Sequence, residues 1–353
     1  MRAVEFFSGI GGWSMSLQRS VARSAEVVAA FDVNADADAV YALNFGRQPL
    51  TRNLETLSAE TLDQLGADLF MMSPPCQPFT RSNASPQRDM LDPRSKAFLN
   101  IVNQLSRMQS PPAYVALENV VGFESSDCCA RFLSVLGDRG YHFLQYHLTP
   151  SQLGVPNDRP RYYCIARLHR PFDFEYDRSR VLTSLPGRDQ EVAPLALSAY
   201  LNGSLSSAER AALVVPEHVL SKQAAWCFDI VTPSDARTSC FTKAYSKFIR
   251  GSGSVLLEPR EGDTTVPTDF LCDPETRVYD DDWRRKLGGG TLRYFSPSEL
   301  LRLFGFAEGS EFRFPKEMSN RKCFELLGNS LSVFVATELL NILLSRWSAE
   351  GVF

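Results

Sequence analysis

The chain lacks the cysteine and histidine spacing of a metal site. Its 353 residues hold eight cysteines and four histidines, but no Cys-x-x-Cys pair, and the nearest thiols, Cys128 and Cys129, are adjacent. That pattern excludes a zinc framework and a small disulfide scaffold, so no metal site is expected. Thiols without a framework suit a reducing compartment, the cytoplasm and also the nucleus. A positive charge balance is lacking too, since the formal net charge is −4. A nucleic-acid partner would therefore need a confined basic face. No apolar run reaches the length of a membrane span, and Met1 leads straight into a strand-like segment. Neither a membrane partner nor a signal peptide is expected. Internal repeats and low-complexity tracts are also missing.

What is present is an alternation of strand and helix over residues 1–170. Strand-like runs cover residues 2–7, 26–31, 68–72, 113–117, 141–148 and 162–168, and helical patterns start near Trp13 and cover 34–44, 94–108 and 130–136. This predicts an α/β class and a doubly wound, Rossmann-like sheet. Residues 171–290 are rich in Pro, Ser, Gly and Asp and read as a smaller, irregular domain, with Gly288-Gly289-Gly290 as its exit. Helices return over 296–304, where Ser296-Pro297-Ser298-Glu299 forms a cap signal, and over 331–347.

The most informative stretch is Ser73-Pro74-Pro75-Cys76-Gln77-Pro78-Phe79, which leaves the apolar run 68–72. Three prolines exclude helix and central strand, so the chain turns rigidly with a thiol at the turn. A buried structural thiol is the commoner fate of a lone cysteine. The setting of Cys76 instead favours a nucleophile. Phe7-Ser8-Gly9-Ile10-Gly11-Gly12 lies between the first strand and first helix, where glycines let backbone approach a ligand and the helix start favours an anion. It is neither GxGxxG nor a P-loop, so pyrophosphate binding is not indicated. Asp32 ends the second strand, the place where an acid binds a ribose in nucleotide-binding α/β folds. Gly turn and acid together fit a nucleoside cofactor without phosphate, such as S-adenosylmethionine. Glu118-Asn119-Val120 follows the fourth strand, with a helix cap as the plainer reading of Glu118. Arg159 and Arg161, two apart on an extended segment, should share a face, with an exposed salt-bridge edge as the alternative.

These motifs, with Leu327-Gly328-Asn329-Ser330, occur in the order found in carbon-5 cytosine methyltransferases, and the resemblance covers nearly the whole chain. Within that family the chain resembles the eukaryotic branch acting on cytosine 38 of tRNA-Asp, on the signature Cys240-Phe241-Thr242-Lys243 with Tyr245 and Gly251-Ser252-Gly253-Ser254-Val255 after it, and on the long form Ser73 to Arg81. The resemblance implies Cys76 as nucleophile, Glu118 as proton donor to ring nitrogen 3, Arg161 on the base carbonyl, and Arg159 orienting the catalytic loop or Glu118. It also implies S-adenosylmethionine held by Phe7, Ser8, Gly9, Ile10, Gly11, Gly12, Asp32, Val33, Asn53, Leu54, Ser73, Pro75, Asn329 and Ser330, leaving as S-adenosylhomocysteine. Domains of 1–170 (catalytic), 171–290 (target recognition) and 291–353 (returning to the catalytic part) follow, in a monomer.

Chemically, a thiolate adding to carbon-6 makes carbon-5 electron-rich, which suits Cys76 and an acid at nitrogen 3. Around Cys240 lies a basic stripe, Arg237, Lys243, Lys247 and Arg250, with Phe241, Tyr245 and Phe248 interleaved. Phosphate contacts from the stripe and Thr242, plus stacking, suit an RNA loop. A solvated strand face is the bland alternative, and Cys240 is a weaker second nucleophile. tRNA is the expected partner, with DNA a weaker one. The rival readings are a DNA cytosine methyltransferase and a binding module that has lost activity.

Overall fold

The structure, a computed structural model, describes residues 1–79, 89–187, 192–259, 287, 289–307 and 311–345. Thr80, Arg81, Gly288 and Trp347, used above, lie outside them.

The chain divides into two compact units. The first comprises Met1–Thr149, Pro160–Gln190 and Leu331–Phe353. Its sheet is built from β1 (Arg2–Phe6), β2 (Glu26–Phe31), β3 (Leu69–Met72), β4 (Tyr114–Val120), β5 (Tyr141–Leu148), β6 (Arg161–Leu168) and β7 (Val181–Leu182) in the order β2-β1-β3-β4-β6-β5-β7. β2, β1, β3 and β4 pair in parallel, β6 runs antiparallel between β4 and β5, and β7 is parallel to β5. The central strands are covered on both faces, which is why β3 reads Leu-Phe-Met-Met and is buried throughout.

Helix α1 (Gly12–Arg19) follows β1, α2 (Ala35–Phe45) and α3 (Ala59–Gln64) follow β2, α4 (Lys96–Leu105) follows β3 and α5 (Asp127–Asp138) follows β4. Val4 and Phe6 of β1 share a core with Phe98, Ile101, Phe132 and Val135 of α4 and α5. Glu5, on the opposite face, meets α1 and α2. The doubly wound α/β fold is thus present.

The second unit comprises Pro150–Arg159 and Glu191–Ser330. It contains α6 (Ser207–Leu213), α7 (Glu217–Leu220), a three-stranded sheet of β8 (Ile230–Val231), β9 (Val255–Glu258) and β10 (Thr291–Arg293) in the order β10-β9-β8, and α8 (Pro297–Phe304) and α9 (Asn320–Gly328). The last helix, α10 (Val333–Leu344), belongs to the first unit, where Ser16 of α1 donates to Val333 O.

These units differ from the expected division in three places. Residues 171–187 stay with the first unit, because β7 pairs with β5 and the Arg167 guanidinium lies 4.5 Å over the Phe172 ring. Residues 150–159 join the second, where Thr238 Oγ1 donates to Pro156 O and Asp158 N to Thr238 O. Residues 291–330 also join the second unit. There β10 pairs with β9, and the buried Arg293 bridges Glu258 and Glu299. The return to the first unit begins only at Leu331.

One further correction concerns apolar runs. Asn320–Leu344 is long and apolar enough for a membrane span by length and composition alone. It is two helices broken after Gly328, and α10 buries Val335, Ala336, Leu339, Leu340 and Leu343. That is a core helix.

Candidate active site

The order of the sheet locates the site. β1 leads to β2 on one side and, after a crossover, β3 pairs on the other, so the strand order reverses at β1. Ligands of such sheets bind outside the carboxyl ends of the strands at that point. The segments leaving β1 and β3 there are Phe7–Gly12 and Ser73–Phe79.

The first is a tight, shaped loop. Phe7 has φ +56°, unusual for a residue with a side chain, followed by Gly9 at +50° and Gly11 at +88°. Asp32 organises the loop: its carboxylate accepts Gly9 N (2.7 Å), Val33 N (2.8 Å) and Asn34 N (2.9 Å). From behind, the loop is closely packed. A Cβ on Gly11 would lie 2.2 Å from the Phe45 ring, and one on Gly12 2.7 Å from Leu331. A Cβ on Gly9 would meet nothing within 4 Å, so this side is open. Ser8 Oγ is buried with no hydrogen-bond partner among the described residues. Val33 is 81% exposed beside Asp32. An open cradle, an unused hydroxyl and an acid fit a ligand carrying a carboxylate and a diol.

Two other expected contacts are placed differently. Leu54 is buried in the core, and Asn53 Oδ1 is engaged by Glu55 N at 2.9 Å, capping a short 3-10 turn. Asp38, which the sequence reading missed, is buried in α2. Burial first, then the charge of Asp32, push its carboxyl up to about 6.

The turn carrying Cys76 leaves β3 under several ties. Ser73 N donates to Phe6 O, and Asn119 Nδ2 donates to Pro74 O (3.2 Å). The Trp13 indole Nε1 donates to Ser73 Oγ (3.0 Å) and Met72 O (3.3 Å). Pro75 is half-buried, Cys76 begins a turn closed by Phe79 N to Cys76 O, and Phe79 sets its ring edge-on to Phe123. Cys76 is half-buried, as a nucleophile must be to be reached. Arg94 is a missed neighbour. Hydrogen bonding to Asp92 chiefly, and the charge of Cys76 less, favour its guanidinium form. A cation there favours the thiolate. The only hint in the sequence was Asp-Pro-Arg ahead of α4. By contrast, burial pushes the thiols of Cys129 and Cys323 up to about 12, and those of Cys128 and Cys164 also upward.

Glu118 does not follow the fourth strand but lies in it. β4 continues to Val120 because β6 pairs with it, Glu118 opposite Tyr163 and Val120 opposite Arg161. Glu118 and Arg161 are therefore diagonal neighbours on one face, and Arg161 Nε lies 3.4 Å from Glu118 Oε1 with both side chains mostly buried.

Of the two arginines expected on one extended segment, Arg161 opens β6 and Arg159 lies before it, outside the strand. Arg159 is 2% exposed in the second unit and donates to Phe241 O (2.8 Å), Gly328 O (3.0 Å) and Ser330 O, with its guanidinium 5.0 Å from the Phe304 ring. Its described contacts hold that unit together, while Glu118 pairs with Arg161. Cys240 Sγ lies 3.5 Å from Arg159 Nη1. Asn329 and Ser330 end α9 in the same unit.

The basic stripe also needs correction. Phe241 and Tyr245 are 1% and 2% exposed, packed edge to face with each other and with Phe295, Tyr294 and Phe324. Tyr245 OH donates to Ser254 O and accepts Phe295 N. Neither ring is available to a base. Phe248 is: it is 59% exposed, with Lys247 Nζ 5.6 Å from its centroid. Lys243, Lys247 and Arg250 are exposed, Thr242 is half-buried, and Arg237 pairs with Asp229 at 3.0 Å.

Known proteins resemble this chain over nearly its whole length. The C-5 cytosine-specific DNA methylase family matches residues 1–345. A Schizosaccharomyces pombe protein named tRNA (cytosine(38)-C(5))-methyltransferase is 35% identical over 98% of this chain and 97% of its own. A Dictyostelium discoideum protein named DNA (cytosine-5)-methyltransferase is 32% identical over 98% of this chain and 94% of its own. The crystal structure of S. pombe Dnmt2 methyltransferase superposes with a TM-score of 0.79 at 31% identity, covering 98% of this chain and 99% of that one. With the glycine loop at the sheet's reversal point, the thiol on the next strand's exit and the acid on the strand beyond, the chain belongs to the C-5 cytosine-specific DNA methylase family.

Proposed function

We propose that the chain transfers a methyl group from S-adenosylmethionine to carbon-5 of a cytosine in tRNA, cytosine 38 in the anticodon loop of tRNA-Asp. The observation carrying the substrate is the near full-length likeness to proteins named tRNA (cytosine(38)-C(5))-methyltransferase. Cytoplasm or nucleus is the matching compartment.

The loop amides of Ile10 and Gly12 and the Ser8 hydroxyl would hold the cofactor's carboxylate, while Gly11 N, donating to Ser8 O at 2.8 Å, shapes the loop; Asp32 with Val33 would hold the nucleoside end. When bound, S-adenosylmethionine supplies an electrophilic methyl group. The Cys76 thiolate adds to carbon-6 of cytosine, and the electron pair of the 5,6 double bond moves toward ring nitrogen 3. Glu118 delivers a proton there, held in place by Arg161, which also reaches the base carbonyl. Carbon-5 becomes the nucleophile. After methylation a base, solvent water or hydroxide, takes the carbon-5 proton, the 5,6 double bond re-forms as Cys76 leaves as thiolate, and the nitrogen-3 proton returns to Glu118. A loop cytosine is partly unstacked already, so its extrusion costs less than opening a duplex.

Labelled cofactor with total tRNA and with duplex DNA tests the reading, followed by bisulfite sequencing of the tRNA. The mark is expected at cytosine 38 of tRNA-Asp. Methylated DNA with unmodified tRNA would favour the second reading, a DNA methyltransferase, which the name of the Dictyostelium relative supports.

A further inference from the structure

We propose that Trp13 is a positioning residue that joins the cofactor loop to the catalytic turn, so that a ligand on Gly9–Gly12 alters the presentation of the Cys76 thiol. The proposal deepens the methyltransferase reading and rests on it for the identity of the ligand.

Trp13 is the second residue of α1, directly after the glycine loop, and is 1% exposed. Its two donors point to different strands. The backbone N–H donates to Glu5 Oε1 of β1 at 3.1 Å. The indole Nε1 donates to Ser73 Oγ at 3.0 Å and Met72 O at 3.3 Å, where β3 hands over to the catalytic turn. A buried indole N–H must find an acceptor, and here both acceptors sit at the root of that turn. Only Pro74 and Pro75 separate Ser73 from Cys76, and proline fixes φ. Asn119 holds Pro74 O in addition. Orienting Ser73 therefore largely orients Cys76.

The loop end is equally constrained. Glu5 also accepts Ser14 Oγ and Tyr41 OH, so the first turn of α1 is pinned to β1. Gly11 and Gly12 press on Phe45 and Leu331 with no room for a Cβ. A shift at Gly11–Gly12 on binding a carboxylate has no slack behind it. The indole is the rigid element that leads from the loop toward the thiol.

The test compares wild type, Trp13→Phe, Ser73→Ala and the double variant. Trp13→Phe keeps ring packing and loses the N–H. Alkylation of Cys76 by iodoacetamide is followed on the Cys76 peptide by mass spectrometry, with and without S-adenosylhomocysteine, while calorimetry confirms ligand saturation. A several-fold effect of ligand on the alkylation rate is expected in the wild type and should vanish in Trp13→Phe. In turnover, each single variant should lose about tenfold in kcat with KM for tRNA little changed, and the double variant no more than the worse single. Absence of a ligand effect in the wild type, its survival in Trp13→Phe, or multiplicative losses in the double variant would overturn the proposal. If the wild type leaves tRNA unmethylated, the substrate reading fails and the alkylation arm alone decides. Should Trp13→Phe not fold, Ser73→Ala carries the same alkylation test.

Discussion

Glu118 and Arg161 form a diagonal pair across the antiparallel seam between β4 and β6, 3.4 Å apart and mostly buried. The acid thus comes from a strand interior, fixed by backbone pairing, and its partner from the first residue of the neighbouring strand. A loop-borne acid would lack that definition.

Glu118→Gln keeps the shape but cannot release a proton to the base. Turnover should fall by about a hundredfold or more, with tRNA affinity largely kept. Single-turnover rates on tRNA measure this; a wild-type rate would remove Glu118 from the chemistry.

Cys76→Ala should abolish methylation while calorimetric affinity for S-adenosylhomocysteine stays near wild type. RNA carrying 5-fluorocytosine should trap wild-type enzyme through Cys76. Cys240→Ser should still be trapped; a bond at Cys240 would reverse the assignment.

Asp32→Ala removes the acceptor of the Gly9, Val33 and Asn34 amides. Hydrogen bonds to a charged group are worth about 1.5–3 kcal/mol each, so cofactor affinity should drop by roughly tenfold or more. Unchanged affinity in calorimetry would leave Asp32 without a binding role.

Burial, opposed by hydrogen bonds from Ser14, Trp13 and Tyr41, raises the Glu5 carboxyl from 4.5 to about 7. Between these values the folded protein keeps a proton that the unfolded chain releases. Stability should therefore fall as pH rises through that window, by roughly 3 kcal/mol in all, and level off above it. Urea unfolding at about pH 5 and about pH 8, for wild type and Glu5→Gln, isolates the contribution. An equal stability difference between the two proteins at both pH values would mean that Glu5 does not titrate there.

tRNA binding should weaken steeply with salt. Replacing Lys243, Lys247 or Arg250 by Ala should reduce the slope by roughly one unit or less each. Phe248→Ala should cost about 1–3 kcal/mol if a base stacks there. Filter binding across a salt series reads both, and unaltered slopes would move the RNA surface elsewhere.

The sequence was most legible where local pattern and tertiary environment agree. Residues 26–31 and 141–148 were read to their ends as strands, because hydrophobic runs there are bounded by turn residues. Glu118 was misread as lying past its strand: a charged residue inside a buried strand contradicts local propensity, and only its pairing with β6 extends the strand. Phe241 and Tyr245 look interleaved with basic residues in one dimension. Gly253, at φ +139°, brings backbone against both rings, and the turn buries them. Trp13 was read only as the start of a helix, since no spacing rule connects it to a serine far along the chain.

The carbonyls gathered by Arg159 bear on how the smaller unit can be handled. They come from Phe241, Gly328 and Ser330, and the arginine itself arrives on the stretch 150–159. Gly328 adds a backbone-to-backbone contact, since a Cβ there would lie 2.1 Å from Lys243 N. This unit is therefore not a cassette. A contiguous fragment excised for grafting onto a relative, such as residues 191–290, would leave behind both the guanidinium and the glycine that close it. Swapping specificity between family members would require moving Arg159 and the Leu327–Ser330 stretch together with the region around Cys240.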